Sequence, residues 1–158
     1  MATGYVLMTE KPTYNELERK INKLEKEALL HRQFEEKLRK REEQLNAITA
    51  NLPVVVYQFF ILPSGKMGLH YVSGQSMDIF ELNPESEDLF ERFTERIYAQ
   101  DVERFASSIN EAVEKIQSWD FEGRYVKPSG GKIWFKGMAL PTQYDNELVF
   151  NGILFDIT

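Results

Sequence analysis

The chain has 158 residues, 42% of them hydrophobic, with 25 acidic against 19 basic side chains and no cysteine. That length suits one globular domain plus an extension, and a net charge of −6 offers no uniform positive field to nucleic acid phosphates or an anionic membrane surface. Without cysteine there is no disulfide framework, thiolate metal site or thiol nucleophile, and a reducing cytoplasm is the expected home. The opening MATGYVLMTEKPTY lacks the basic flank and apolar stretch of a secretory signal, and no run approaches the ~20 apolar residues of a membrane span.

Residues 1–12 are expected to be disordered. At Pro12-Thr13-Tyr14-Asn15-Glu16, Thr13 can cap a helix and Glu16 can return the bond to the cap amide. From Tyr14 to about Leu52 there is no glycine or proline, the residues are mostly strong helix formers, and Pro53 ends the run. Apolar residues take three- and four-residue steps through Tyr14, Leu17, Ile21, Leu24 and Ala28, and again through Phe34, Leu38, Leu45, Ile48 and Leu52. The passage from Ala28 through His31 to Phe34 takes two consecutive three-residue steps, a stammer in coiled-coil winding. A helix of this length reaches ~55 Å, beyond the ~30 Å of a small domain. A second copy is the expected partner, with Leu17, Ile21, Leu24, Ala28, Leu38 and Leu45 as the dimer seam; the alternative is a solvated helix folded back on its own domain. Residues 1–52 carry ten basic and nine acidic side chains, so the acidity belongs to the remainder.

Beyond Pro53 the texture is that of strands: VVVYQFFIL at 54–62, a turn at Pro63-Ser64-Gly65-Lys66, and MGLHYV at 67–72. The stretch 73–117 is helical in character, with Asn83-Pro84 as a cap and first-turn pair and Val102, Phe105, Ile109, Val113 and Ile116 on one helical face. Three strands follow in WDFEGRYVK, KIWFKGMAL and ELVFNGILFDI, with turns at 128–131 and 141–146. In the first of them Trp119, Phe121, Gly123 and Tyr125 share one face, and Asp120, Glu122, Arg124 and Val126 the other. The strands at 54–62 and 148–157 are apolar on both faces, so their outer side needs a cover, either the end of the long helix or a second subunit.

From about Ala50 to Thr158 the sequence resembles the PAS family, in the branch found ahead of histidine kinase and diguanylate cyclase domains of bacterial two-component signalling. The segments that carry the resemblance are LPVVVYQF, HYVS, ERIYAQDVERF, FEGRY, PSGGKIWF and NGILFDIT. Gly130 matches the hairpin glycine, Trp134 the aromatic four residues on, and Gly152 the last-strand glycine. Asp156, Ile157 and Thr158 match the motif that launches an output helix. Tyr98-Ala99 stands where the family often has His-Pro, and Gly123 where it often has an aromatic. Gly123 therefore either enlarges the cavity or marks a bulge or close backbone approach. The resemblance implies an α+β fold with a five-stranded antiparallel sheet, helices on one face and a long coiled-coil leader. It divides the chain into 1–12, a dimerisation helix at 13–52 and a PAS domain at 53–158. It also implies that a C-terminal effector domain follows Thr158, so the chain is expected to be a fragment of a sensor.

The family's pocket lies between the sheet and the helices, and alternation nominates Tyr57, Phe59, Tyr71, Phe80, Phe105, Ile109, Trp119, Phe121 and Tyr125 as lining, either of a small-molecule site or of plain core. Chromophores attached through cysteine are excluded. Haem versions commonly use a histidine on the long helix, and 100–117 has none, so haem is not expected; noncovalent flavin stays open. His70 is a lone strand histidine, so metal ligation is not expected. For catalysis, Asp101 or Asp120 would have to act as a base of raised pKa. Neither has an apolar context, and Asp101 stands where a carboxylate favours a helix N-terminus. Gly130-Gly131-Lys132 lacks the rest of a phosphate-binding loop. No catalytic residue is assigned; the readings that remain are a sensor, a ligand-free interaction module and, last, a small α+β enzyme.

Overall fold

A computed structural model describes residues 10–158; the expected disordered start lies, for residues 1–9, outside the described residues. The chain divides between Gln44 and Leu45 into two units. Helix α1 runs from Tyr14–Ala50 over 37 residues. It opens on the capping box: the Thr13 amide donates to Glu16 Oε2 at 2.9 Å and the Glu16 amide to Thr13 Oγ1 at 3.3 Å. Ion pairs at i,i+4 follow in Lys23–Glu27, Glu36–Lys40 and Arg39–Glu43, and His31 Nδ1 lies 3.2 Å from Glu35 Oε1 at the same spacing. Each is worth only a few tenths of a kcal/mol on an exposed face. The helix stops at Ala50, two residues before the sequence expectation. Pro53 bars its predecessor from helical dihedrals, and the Asn51 amide group instead donates to the Ala47 carbonyl at 2.7 Å. Leu52 therefore lies off the helical stripe.

The second unit contains β1 (Val55–Ile61), β2 (Met67–Val72), α2 (Gln75–Phe80), α3 (Leu89–Glu95), α4 (Val102–Lys115), β3 (Trp119–Val126), β4 (Lys132–Gln143) and β5 (Leu148–Asp156). All pairings are antiparallel, in the order β2-β1-β5-β4-β3. This is the α+β, five-stranded architecture read from the sequence, two strands, then helices, then three strands. Gly65 and Gly130, with φ of 84° and 94°, make the two hairpin turns that a side chain would strain. Strand β4 runs three residues past the expected Leu140, through Pro141. Strand β3 ends opposite Ala139, so Pro141 stands where β4 has become an edge and a missing amide is tolerated.

Asn83-Pro84 does not start a helix. The Asn83 side chain accepts the Glu85 amide at 3.0 Å and closes a turn; α3 begins only at Leu89. On α4, Phe105 is buried and Ile109 and Val113 pack against the core, as their spacing predicts, while Val102 and Ile116 are exposed. Outside β1 and β5, Val56, Phe60, Ile153 and Phe155 are half-buried. Between them Gln58 donates to Asn151 at 2.7 Å, so the outer face is interrupted by a polar cross-strand pair.

The start of α4 is fastened to β3 by Asp101, which is 5% exposed. Its carboxylate does not cap its own helix. It accepts the Arg124 amide at 3.0 Å, Arg124 Nε at 2.9 Å and an Arg124 terminal nitrogen at 3.0 Å. The hydrogen bond from the Arg124 side chain is the main reason its pKa is driven well below the carboxylate range; burial opposes that shift. Of the two roles the sequence leaves open to Asp101, the base of raised pKa is contradicted by this pairing, while the carboxylate does stand at the start of α4.

Two stability predictions follow from these contacts. Asp101→Asn should cost about 3 kcal/mol, because it leaves Arg124 without its charge partner. The folded carboxyl has the lower pKa, so the stabilisation is complete above the unfolded value of about 3.9 and fades as pH falls below it. In urea melts of both proteins, the gap at pH 3 should be smaller than the gap at pH 7. At the other end of α4, Ile116 closes the helix with φ 46° and ψ 55°, a left-handed conformation that a β-branched side chain resists. Since Ile116 is 52% exposed, Ile116→Gly loses little burial and should raise stability by about 1 kcal/mol; a lower melting temperature would contradict the strain.

Candidate functional site

The inward face of the sheet places aromatic rings beside residues with little or no side chain. Tyr57, Gly152, Ala139 and Trp119 form one row across β1, β5, β4 and β3. A Cβ on Gly152 would lie 2.5 Å from the Tyr57 ring and hydroxyl and 2.7 Å from the Met138 carbonyl, so the phenol rests directly on the β5 backbone. Trp119 crosses Gly137 in the same way. Its indole N–H donates to Ser108 Oγ at 2.9 Å, which ties β3 to α4.

Above this floor, α2, α3 and α4 leave a cavity of about 90 Å³. Its walls come from every layer: Tyr57 and Phe59 on β1, Leu69 and Val72 on β2, Phe80 on α2, Phe90 and Phe93 on α3, Phe105, Ile109 and Ala112 on α4, and Trp119 and Leu154 on β3 and β5. No charged side chain lines it. Burial raises the Tyr57 pKa, so the phenol keeps its proton throughout the physiological range.

Of the nine nominated lining residues, six border this cavity: Tyr57, Phe59, Phe80, Phe105, Ile109 and Trp119. Three do not. Tyr71 points outward, 38% exposed, because the register of β2 slips: Gln58 pairs with Tyr71 but Phe59 with Leu69. The extra residue, His70, turns Tyr71 to the wet face and sends Leu69 and Val72 inward. Phe121 folds back over Gly123; the register there is unbroken, so Gly123 is a site of close approach, and the ring fills the space a missing aromatic leaves. Tyr125 is fully buried in solid packing, edge-on to Phe80 and stacked on Phe93, with its hydroxyl donating to the Phe80 carbonyl at 3.1 Å.

Sequence reasoning passed over Phe90, Phe93, Ala112 and Leu154. Ala112 follows Ile109 by three residues and Leu154 follows Gly152 by two, so both were within reach of periodicity; α3 is too short for a period to show. His70 Nε2 donates to Glu147 Oε2 at 2.7 Å and its ring stacks on Phe60, and no group of three metal-ligating side chains occurs among the described residues. Asp120 is exposed and 3.7 Å from Lys136. Asp101, whose carboxyl is held below the usual carboxylate range, is no raised-pKa base.

At the C-terminal end, the Ile157 amide donates to the Trp134 carbonyl at 2.8 Å and the Trp134 amide to Thr158 Oγ1 at 3.0 Å. The Thr158 amide returns to Asp156 Oδ1 at 2.8 Å. Asp156, Ile157 and Thr158 are thus held to β4 in the sheet that floors the cavity.

The family model described as the PAS fold matches residues 69–153. The chain belongs to the PAS family. Solved structures agree in fold. The N-terminal domain of a diguanylate cyclase with PAS/PAC sensor from Marinobacter aquaeolei has 17% identity and a TM-score of 0.56, over 66% of this chain and 94% of that one. A PAS domain from Colwellia psychrerythraea has 18% identity and a TM-score of 0.55, over 77% and 97%. A domain of a putative light and redox sensing histidine kinase from Haloarcula marismortui has 15% identity and a TM-score of 0.53, over 73% and 99%. No curated protein matches the chain. In this PAS domain the cavity floor depends on Gly152. Gly152→Ala should cost about 1–3 kcal/mol by driving the Tyr57 ring off β5, read as a lower midpoint in urea; an unchanged midpoint would show that Tyr57 does not rest there.

Proposed function

We propose that this chain is a sensory input module whose PAS domain receives a signal at the cavity and relays it to an effector. The observation that carries this reading is the unfilled apolar cavity. Interiors are packed to crystal density, and a space of about 90 Å³ lined almost wholly by apolar side chains departs from that. A ligand that binds one conformation of the domain more tightly than another shifts the balance between them, which is the requirement for a signal. The effector is read as a histidine kinase or diguanylate cyclase domain following Thr158, supported by the names of proteins that share the fold. The chain itself is read as non-enzymatic and cytoplasmic; among the described residues no helix is long and apolar enough to cross a membrane.

Dimerisation is assigned to 13–52. Helix α1 has no buried residue, and Leu17, Ile21, Leu24, Leu38 and Leu45 are 43–63% exposed, with Ala28 beside them, so a seam at coiled-coil spacing is available to a second copy. The stammer at His31 offers two registers between which a signal can choose. One observation favours the second reading, a ligand-free interaction module: Phe121 closes the space over Gly123, and about 90 Å³ lies below the ~300–1,000 Å³ of drug-sized ligand sites.

Native mass spectrometry of the protein as purified from cells, before and after denaturation, separates these readings. A dimer with a noncovalent adduct supports the sensor. A bare dimer supports the interaction module, and a bare monomer refutes the seam. Leu24→Glu, which puts charge in the seam, should shift the dimer toward monomer by at least tenfold in dissociation constant while leaving the thermal unfolding of the PAS domain in place.

A further inference from the structure

The chemistry of the cavity wall defines what can enter it. Its lining includes three side chains with polar atoms, Tyr57, Ser76 and Trp119. Ser76 Oγ is committed to the Leu82 carbonyl at 2.9 Å and Trp119 Nε1 to Ser108 Oγ at 2.9 Å. The Tyr57 hydroxyl has no hydrogen-bond partner among the described residues. A carboxylate, phosphate or ammonium group would enter without any counter-charge, at a cost of several kcal/mol. Dinucleotide- or tetrapyrrole-sized cofactors exceed the space many times over. A larger apolar cavity, about 150 Å³, stays dry and takes up benzene in another protein.

We propose that the cavity takes one small, uncharged, apolar molecule about the size of a single aromatic ring. The inference rests on the reading of the cavity as the point where the signal enters. The aromatic walls, Phe59, Phe90, Phe105 and Trp119, supply ring faces and edges for a planar guest. Ala112 on α4 and Ala139 on β4 hold the space open, since a longer side chain at either would occupy it.

Three probes of similar size test the assignment on the full chain: toluene, benzonitrile and benzoate. Toluene and benzonitrile should bind saturably, each raising the melting temperature and shifting methyl resonances of Ile109 and Leu154, while benzoate at equal concentration does neither. Ala112→Leu or Ala139→Val should abolish uptake of both neutral probes, with circular dichroism of each variant establishing that it is folded. Benzoate binding as tightly as toluene overturns the ligand class while leaving the cavity as the entry point. Failure of every probe to bind folded protein overturns the inference. The sensory reading falls with it only if native mass spectrometry also finds a bare dimer.

Discussion

The second unit is organised around the row of Tyr57, Gly152, Ala139 and Trp119, where two large rings flank two positions with almost no side chain. Because Gly152 has no Cβ, Tyr57 lies down on the sheet; because Gly137 has none, Trp119 does the same. Upright, either ring would project into the layer occupied by α4. Lying flat, they leave a shallow trough, and the helices span it without filling it. The cavity is therefore a consequence of backbone positions in β4 and β5 as much as of the aromatic residues that line it.

Such a trough persists only if its roof cannot sink into it, and polar contacts at the edges supply that support. Asp101 fixes the first turn of α4 to Arg124 on β3, and Trp119 reaches Ser108 one to two turns later. At the far side, Glu81 at the end of α2 accepts the amide and hydroxyl of Ser129 at 2.9 and 2.8 Å. These bonds set helix heights independently of how well the interior is filled. Packing alone favours collapse onto the void; fixed helix ends oppose it.

Much of this was legible in the sequence because its signals are periodic or local. Alternation in WDFEGRYV placed Trp119, Phe121 and Tyr125 inward, and the capping pair Thr13 and Glu16 located the start of α1 to the residue. What escaped depends on non-local or non-periodic effects. A one-residue bulge at His70 reverses Tyr71, and nothing in MGLHYV marks it. Phe121 and Tyr125 are inward as alternation requires, yet one is drawn over Gly123 and the other into the Phe80–Phe93 cluster, so facing the core and facing the cavity are different properties. Asp101 sits at a helix start, but its partner is Arg124, 23 residues away, and only the fold brings the two together.

The same geometry constrains how an occupied cavity can be felt elsewhere. Leu154, which borders the cavity, pairs with Val55 at the start of β1 and with Gly137 on β4. Two residues on, Asp156 pairs with Phe135, and Ile157 and Thr158 bond to Trp134. A guest that lifts Tyr57 from Gly152 thus acts on the strand that continues directly to Thr158, two residues past its last pair. The lever is short, and its stiffness is that of a central antiparallel strand hydrogen-bonded on both sides. A displacement of β5 at the cavity would be shared through backbone pairing by Asp156, Ile157 and Thr158, with no chain of side chains needed to carry it.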